Sequence, residues 1–292
     1  MGRPGASKPA APGLHVVATP IGNRGDITFR AVETLRGVGL ILCEDTRVSG
    51  PFLRGLGATA PLLAYHDHNA ARVRPQIMER LAAGAAVALV TDAGTPLVSD
   101  PGYRLVGECV ERGIPVTTLP GPSAPLAALV LSGLPTDRFL FAGFLPPKAG
   151  ARGAALAELA AVPATLVFFE TAPRLADSLG QMAEVLGDRP AAVARELTKL
   201  HEEVRRGPLA ALAAHYRDAG PPRGEIVVVV GPPVAAAAAA DDEVDDRLRA
   251  ALTTLRPSAA AAAVAAATGR PRREVYARAM ALAAEGDEGD GP

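Results

Sequence analysis

Small and polar residues are concentrated in four short segments of the first half of the chain, each directly after an apolar run of strand length. The segments are Thr19–Asn23, Glu44–Arg47, Thr91–Pro96 and Pro120–Ala124. Ligands of α/β proteins bind beyond the carboxyl ends of the strands, so these segments are candidates for one shared site. Turns and helix caps explain single glycines, serines and aspartates of this kind, but they do not explain Asp45, Arg47 and Asp92 together. The pattern favours a ligand site.

Two further segments of this type follow apolar runs in the second half of the chain. Phe169–Thr171 ends one run and is followed by Arg174, and Arg195–Lys199 ends another. Lysine is rare in this chain, so the position of Lys199 at a predicted cleft edge marks it as a candidate functional residue. A surface ion-pair cluster is the alternative interpretation of the same residues.

Several familiar kinds of site find no support in the sequence. A Gly-x-Gly-x-x-Gly after the first apolar run and a Gly-x-x-x-x-Gly-Lys-Ser/Thr are both missing, which argues against an ordinary dinucleotide oxidoreductase or a P-loop enzyme. His66 and His68 are too close along the chain to fill a metal site alone, so no metal is expected. Ser123 has neither a nearby base nor an elbow motif. Cys43 and Cys109 are too few for a disulfide scaffold and are expected to be buried thiols.

The composition is that of a globular protein with balanced charge. The chain has 292 residues, of which 49% are hydrophobic, and this is enough for a sizeable core. Its 30 basic and 31 acidic residues give a net charge of −1, which neither requires nor excludes a nucleic-acid partner. No apolar run is long enough to cross a bilayer, and residues 1–13 lack the apolar core of a signal peptide. We predict a cytoplasmic protein with a disordered tail over residues 1–13 and no membrane partner.

Apolar runs alternate with helical patterns from Leu14 to Val230, which predicts an α/β fold with a mostly parallel sheet in the first half. The predicted strands are Leu14–Thr19, Val38–Glu44, Ala86–Val90, Pro115–Leu119, Phe139–Phe144, Ala164–Phe169, Ala191–Arg195 and Gly224–Val230. The predicted helices are Thr28–Arg36, Asn69–Ala83, Pro101–Arg112, Ala151–Ala161, Pro173–Leu186 and Pro208–His215. We interpret the pattern as two α/β domains, residues 14–122 and 123–232.

A small helical extension is predicted over residues 242–284. Ser258–Thr268 has strong helix propensity, Gly269–Pro271 forms a turn, and Arg272–Ala283 is a second helix. Helix, short glycine-containing turn and helix form the helix-turn-helix outline. Two short helices in an alanine-rich tail are also common without nucleic-acid binding. The roles of the acidic blocks at residues 241–246 and 285–290 stay open.

These segments, in this order, resemble one family. The resemblance rests on Thr19–Asn23, Asp26–Thr28, Glu44–Arg47, His66–Asn69, Asp92–Pro96, Asp100–Gly102, Pro120–Pro122, Gly133–Pro135, Asp137–Phe139, Gly143–Pro146 and Ala194–Lys199. Over about residues 14–285 the chain is similar to the rRNA-modifying branch of the tetrapyrrole methylase superfamily. It departs from that pattern at Thr91, where serine is frequent, and at Phe169–Thr171, where Tyr-Glu-Ser is common.

The resemblance implies a fold, an activity and a cofactor. The fold is two α/β domains of the tetrapyrrole methylase type, with the cofactor cleft between them and a helical extension. The activity is methylation of the ribose 2′-hydroxyl of a cytidine in the decoding centre of 16S rRNA by S-adenosyl-L-methionine, and a homodimer is expected. Cofactor contacts are expected from Pro20, Asp92, Gly94, Thr95, Pro96, Val98, Ser123, Ala124 and Phe169. Asp92 would also favour the positive sulfonium.

Methyl transfer to a hydroxyl depends on alignment of the two reacting groups and on loss of the hydroxyl proton. The unranked candidates for a catalytic role are Glu170, Lys199, Asp100 and His66. Contacts to the RNA are expected from Arg47, Lys148, Arg174, Arg195, Arg272 and Arg273. Only 4% of the residues are aromatic, so phosphate and shape recognition should dominate over stacking. The predicted substrate is the assembled small ribosomal subunit rather than free RNA.

Two other functions are kept as alternatives. A small-molecule methylase of the same fold is disfavoured, because the Gly-Pro-Gly-Asp-type loop typical of the porphyrin and corrin enzymes is missing and a helical extension is added. A non-catalytic ribosome-binding protein is disfavoured, because polar residues are retained at every strand end of the predicted cleft. Cofactor binding would separate the second alternative from an enzyme.

Overall fold

The computed structural model describes residues 8–99, 102–233 and 241–287. The chain divides into two compact units, Met1–Pro232 and Pro233–Pro292. The first unit contains two five-stranded sheets, and the described part of the second unit is helical. Within the described ranges, no helix combines the length and apolarity needed to span a membrane.

The first sheet contains the first five strands of the chain. They are β1 (Gly13–Val17), β2 (Leu40–Cys43), β3 (Leu62–Ala64), β4 (Ala86–Leu89) and β5 (Val116–Leu119). They lie in the order β3-β2-β4-β1-β5, and every pairing is parallel, which confirms the predicted parallel sheet. The edge strand β3 was not predicted, because it has only three residues and all are half-buried.

Helices cover both faces of this sheet. They are α1 (Phe29–Gly37), α2 (Thr46–Gly55), α3 (Asp67–Ala82) and α4 (Tyr103–Glu111). Successive strand residues point to opposite faces, so Ile41 packs in one cluster with Leu35 and Leu53, whereas Leu42 packs in another with Ile77. Helix α2 was not predicted, because its Gly50-Pro51 pair interrupts the helical pattern.

The second sheet is mixed. Its strands are β6 (Phe139–Phe144), β7 (Thr165–Glu170), β8 (Pro190–Arg195), β9 (Glu203–Pro208) and β10 (Ile226–Val230). They lie in the order β6-β7-β10-β8-β9, and only the β6–β7 pair is parallel. All residues of β10 are buried. A continuous apolar run of this kind is typical of buried parallel strands, but β10 runs antiparallel to both of its neighbours. Strand β9 was not predicted, because it is polar and only partly buried.

Helix α5 (Ala124–Ser132) joins the two halves of the first unit. It follows the last strand of the first sheet, yet Ala128 and Leu129 pack against the second sheet. The same apolar cluster contains Ile21 from the first half and Leu197 from the second half. The two halves therefore share a core. The outer face of the second sheet is covered by α6 (Ala149–Leu159), α7 (Leu175–Leu186) and α8 (Leu209–Ala219).

The predicted N-terminal tail of residues 1–13 is described only from residue 8 onwards, and residues 1–7 lie outside the described residues. The backbone N–H of Ala10 donates to the Gly37 carbonyl at 3.0 Å, and Gly13 already belongs to β1. Residues 10 and 13 of the predicted disordered tail thus make contacts with the first sheet and its helices.

The second unit contains three described helices, α9 (Asp241–Leu252), α10 (Pro257–Thr268) and α11 (Arg272–Asp287). Gly269 ends α10 in the left-handed region, with φ 68°, which favours glycine. Val244, Leu248, Val264 and Val275 form its small core. The predicted helix, turn and helix of the extension are confirmed.

The acidic block at residues 241–246 forms ion pairs inside this second unit. Asp241 pairs with Arg270 at 2.8 Å, and Oδ2 of Asp245 accepts from Nη2 of Arg278 at 2.6 Å. These pairs connect the first turns of α9 to the α10–α11 turn and to α11. Acidic residues at a helix N-terminus are also stabilised by the helix dipole. The side chains of the second acidic block, at residues 285–290, lie outside the described residues.

Candidate functional site

A cavity of about 490 Å³ lies in the first unit, between loops of the first sheet and strand ends of the second. Six of the nine residues predicted to contact a cofactor line it, namely Gly94, Thr95, Val98, Ser123, Ala124 and Phe169. Its other walls are formed by Ile21, Ala93, Ser99, Pro125, Phe144, residues 170–173, Ala194, Leu197 and residues 224–227. The volume falls within the roughly 300–1,000 Å³ typical of small-molecule sites.

Hydrogen bonds hold together three of the loops predicted to share a site. The N–H of Thr19 donates to the Gly94 carbonyl at 2.8 Å, and the N–H of Gly94 donates back to the Thr19 carbonyl at 3.1 Å. The Thr19 hydroxyl donates to the Thr91 carbonyl at 3.0 Å. The Thr95 hydroxyl donates to the Pro122 carbonyl at 3.1 Å. The loops after β1, β4 and β5 therefore form one rigid edge of the cavity.

Two loops at the cavity contain strained backbone. In the described part of the chain, the non-glycine residues with positive φ are Leu97 (73°), Ser99 (64°), Glu196 (50°) and Thr198 (65°). Val98 and Ser99 from the first loop line the cavity, and so does Leu197 from the second. Such conformations cost about 1–3 kcal/mol each and are characteristic of functional sites.

Helix α5 begins at the cavity, where Ser123, Ala124 and Pro125 form part of the wall. The first amides of a helix have no partner within the helix, and the Ser123 hydroxyl makes no capping hydrogen bond. A free hydroxyl beside free helix amides suits an anionic group such as a carboxylate.

Glu170 lines the cavity, but its carboxylate is bonded within the protein. The side chain is 0% exposed. Its Oε1 accepts from the N–H of Thr171 at 2.7 Å, and its Oε2 accepts from the Ser178 hydroxyl at 2.6 Å. Arg174 Nε lies 3.4 Å from Oε1. This geometry supports a role in holding the cavity wall more than a role in accepting a proton.

Two arginines predicted to contact RNA are bonded inside the first unit instead. Nη2 of Arg174 donates to the Leu145 carbonyl at 2.8 Å, in addition to its pairing with Glu170. Arg195 pairs with Glu203 at 2.8 Å and donates to the Arg223 carbonyl at 3.2 Å, and its side chain is only 19% exposed. The structure argues against both RNA assignments, because these guanidinium groups connect neighbouring strands and loops.

Lys199 lies at the junction of the two halves and is held by two carboxylates. Its Nζ donates to Oε1 of Glu196 at 2.7 Å and to Oε2 of Glu225 at 2.9 Å. Burial by itself would lower the pKa of the Lys199 ammonium, but the bonds to the two glutamates outweigh burial and raise the pKa. These bonds favour the ammonium form of Lys199.

A second, smaller cavity of about 240 Å³ adjoins the first. Two predicted cofactor residues, Pro20 and Asp92, line this cavity and not the larger one. Oδ1 of Asp92 accepts from the buried Ser49 hydroxyl at 2.8 Å. The remaining lining residues are Thr19, Ile21, Gly22, Arg24, Val48, Phe52, Leu53, Val90, Thr91, Ala93, Lys199 and Glu225.

None of the other predicted residues that the structure describes lines either cavity. Pro96 is buried behind the loop, and His66 precedes α3 at the far edge of the first sheet. Asp100 lies outside the described residues. The remaining predicted RNA contacts, Arg47, Lys148, Arg272 and Arg273, are exposed, and Arg47 forms an ion pair with Asp45 at 2.6 Å.

Three residues of the site were not singled out from the sequence. Phe144 lies with its ring 5.3 Å from that of Phe169, and its position at the end of a predicted strand was a usable signal. Glu225 precedes β10, whose Ile226 pairs with Glu170 in an antiparallel register. Glu225 therefore lies at the amino end of its strand, and the rule that site residues follow the carboxyl ends of strands does not predict it. Ser178 had no signal, because its bond to Glu170 depends on how α7 packs.

Comparison with known proteins agrees with this architecture. Residues 13–213 match the family described as Tetrapyrrole (Corrin/Porphyrin) Methylases, and residues 238–283 match an RsmI C-terminal HTH domain. A protein of Mesorhizobium japonicum named ribosomal RNA small subunit methyltransferase I is 59% identical over 222 residues, which cover 76% of each chain. A protein of the same name from Escherichia coli O157:H7 is 48% identical over 216 residues, covering 73% of this chain and 76% of the relative.

Solved structures share the fold at low sequence identity. Uroporphyrin-III C-methyl transferase from Thermus thermophilus, complexed with S-adenyl homocysteine, has a TM-score of 0.53 at 21% identity and covers 75% of this chain and 97% of that one. The methyltransferase CobJ has a TM-score of 0.57 at 20% identity and covers 75% of this chain and 94% of that one. On the family match and the close relatives together, this chain belongs to the tetrapyrrole (corrin/porphyrin) methylase family, on the branch of the ribosomal RNA small subunit methyltransferase I proteins.

Proposed function

We propose that this protein transfers a methyl group from S-adenosyl-L-methionine to the ribose 2′-hydroxyl of a cytidine in the decoding centre of 16S rRNA. One observation carries the proposal. The chain combines a methylase unit that contains a cofactor-sized cavity with a helical unit that matches an RsmI C-terminal HTH domain, and a relative named ribosomal RNA small subunit methyltransferase I is 59% identical over 222 residues.

The residues of the larger cavity fit the methyl donor. Gly94, Ala124 and Ala194 are small, so backbone groups can approach a ligand closely, while Val98 and Phe169 offer apolar surface. The free amides at the start of α5 and the Ser123 hydroxyl would hold the carboxylate of the donor. The donor supplies a methyl group already activated by a positive sulfonium.

The contribution of the protein to such a reaction is alignment. Positioning of two reactants can lower the activation free energy by about 7–11 kcal/mol. The bonds between Thr19 and Gly94, and between Thr95 and Pro122, make the loops rigid. We propose that this rigidity fixes the donor while the ribose hydroxyl approaches.

None of the three candidates for proton transfer that the structure describes fits a free base. Glu170 is bonded to Thr171 and Ser178, Lys199 donates to Glu196 and Glu225, and His66 lines neither cavity. Asp100 lies outside the described residues. We therefore assign catalysis mainly to alignment, with the hydroxyl proton passing to solvent as the oxygen–carbon bond forms and the bond from that carbon to sulfur breaks.

Contacts with the ribosomal RNA are proposed for exposed basic residues. Arg47, Lys148, Arg272 and Arg273 remain available to solvent, and phosphate contacts of this kind position an enzyme without reading bases. The proposed substrate is the assembled small ribosomal subunit in the cytoplasm. Few aromatic residues are present to stack on RNA bases, so the protein is expected to recognise the shape of the assembled subunit.

A homodimer is also proposed. Leu126 and Val130 project from α5 with exposures of 49% and 75%, and Leu131 lies beside them at 37%. An apolar patch on one helix of a folded unit is suited to contact with a second copy. Light scattering coupled to gel filtration, with Val130→Asp as the disrupting variant, tests this part of the proposal.

The test of the activity is transfer of labelled methyl from S-adenosyl-L-methionine to small ribosomal subunits that lack the modification, followed by nucleoside analysis. We expect 2′-O-methylcytidine. Labelled base would overturn the ribose assignment. Donor binding without transfer to subunits would favour the small-molecule methylase. A failure to bind the donor would favour the non-catalytic ribosome-binding protein.

A further inference from the structure

We propose that the second cavity receives the ribose and an adjoining phosphate of the methyl acceptor, with Arg24 as the group that binds the phosphate and Asp92 as the hydrogen-bond acceptor. This inference rests on the proposed function and assigns the place of the acceptor within the same site. The larger cavity then holds only the donor.

The two cavities are contiguous. Ile21, Ala93 and Glu225 line both of them, so a ligand in one lies beside a ligand in the other. A methyl acceptor has to approach the activated methyl group to within about 3–3.5 Å. The second cavity is a space next to the donor cavity that would permit such an approach.

The size of the second cavity suits one unit of a polymer. Its volume of about 240 Å³ is below the roughly 300–1,000 Å³ of sites that enclose a whole small molecule. A sugar with its phosphate could occupy it while the rest of the chain stays outside.

The charges on its walls suit a sugar and a phosphate. Arg24 is exposed and makes no ion pair with any described residue. Lys199 donates to Glu196 and Glu225, which offset its positive charge, and Glu225 itself lines the cavity, so the phosphate contact is assigned to Arg24. Asp92 is half-buried and accepts from Ser49 through Oδ1 only, which leaves its other oxygen able to accept from a ribose hydroxyl.

One apolar side chain on the wall of the second cavity is exposed. Val48 lines the cavity and is 55% exposed. Unstacked RNA bases are held by contacts with protein side chains, so Val48 is suited to support the base of the inserted nucleotide.

The first test compares two variants, one that loses a positive charge inside the cavity and one that loses a positive charge outside it. Arg24→Ala is compared with Arg30→Ala, which changes an exposed arginine on α1 that lines neither cavity. Small ribosomal subunits lacking the modification are the substrate, and S-adenosylhomocysteine is the probe of the donor cavity. For Arg24→Ala we expect the KM for subunits to rise roughly tenfold. The slope of log KM against log salt should fall by roughly 0.7, the loss of about one phosphate contact.

The second test fills the cavity without changing charge. Val48→Trp is compared with Val110→Trp, since Val110 is 66% exposed on α4 and lines neither cavity. We expect Val48→Trp to lose at least tenfold in kcat/KM for subunits. Its affinity for S-adenosylhomocysteine, measured by calorimetry, should stay within twofold of the parent protein, and Val110→Trp should match the parent in both measurements.

The outcomes separate this inference from the proposed function. Transfer by the parent protein, together with equal effects of Arg24→Ala and Arg30→Ala or full activity of Val48→Trp, would overturn the acceptor site alone. Loss of S-adenosylhomocysteine binding in Val48→Trp would assign the cavity to the donor. Absence of transfer by the parent protein, with the donor bound, would overturn the proposed function and the acceptor site with it.

Discussion

Gly22 and Lys199 are in direct contact across the two halves of the first unit. A Cβ atom added at residue 22 would lie 2.4 Å from Cγ of Lys199 and 2.9 Å from its Cε. Beside this contact, the N–H of Asn23 donates to the Thr198 hydroxyl at 3.0 Å. The loop after β1 and the loop after β8 therefore fit together only because residue 22 has no side chain.

This contact predicts that Gly22→Ala impairs the site far more than the fold. The added methyl displaces the stem of Lys199 and with it the bonds to Glu196 and Glu225. We expect kcat/KM to fall by roughly 10–100-fold, since small misplacements at an active site have effects of this size. Gly107→Ala is the matched control, because a Cβ at Gly107 in α4 would meet nothing within 4 Å. Equal activities of the two variants would contradict the interlocking of the loops.

Glu170→Gln distinguishes a structural carboxylate from a catalytic base. The substitution keeps the size of the side chain. It replaces one carboxylate oxygen, which accepts from Thr171 or Ser178, with an NH₂ group that can only donate. We expect a loss of about 1–3 kcal/mol in the free energy of unfolding, measured by denaturant unfolding, and a smaller loss for Ser178→Ala. A base would show the opposite signature, with unchanged stability and a kcat that falls across the whole pH range.

The basic residues predicted to contact RNA should divide into two groups. Replacement of both Arg272 and Arg273 by alanine should raise the KM for ribosomal subunits several-fold and leave the Tm unchanged, because both side chains are exposed. Arg195→Ala should instead lower the Tm, since it removes the bonds to Glu203 and to the Arg223 carbonyl. A KM effect of Arg195→Ala at unchanged Tm would restore its assignment as an RNA contact.

The stability of the second unit should depend on pH through Asp245. Hydrogen bonding to Arg278 lowers the pKa of Asp245 below its ordinary value of 3.8. A carboxylate with a lowered folded-state pKa contributes stability above its unfolded pKa, and the contribution is lost as the pH falls through the folded value. The Tm difference between the parent protein and Asp245→Asn should therefore be largest near pH 7 and shrink below about pH 4. Asp246→Asn, at a side chain that is 78% exposed, should show little difference at any pH.

Much of the architecture could be predicted from local patterns. Most strands and helices of the first unit were recognised because apolar runs and helical spacing are properties of adjacent residues. Six of the predicted cofactor residues line one cavity, because the carboxyl ends of parallel strands meet at one edge. The helices around Gly269 were predicted from alanine propensity and a glycine turn.

The sequence by itself determined the order of strands and loops and the family of the chain, because apolar runs and motifs consist of residues that are adjacent along the chain. The tertiary structure alone decided the antiparallel direction of β10, because complete burial is compatible with either direction. It also decided that Arg174 and Arg195 bond internally, whereas Arg24, at the second cavity, forms no ion pair with any described residue. Each charge was visible in the sequence, but its partner lies on another strand or loop, and only packing brings the two together or keeps them apart.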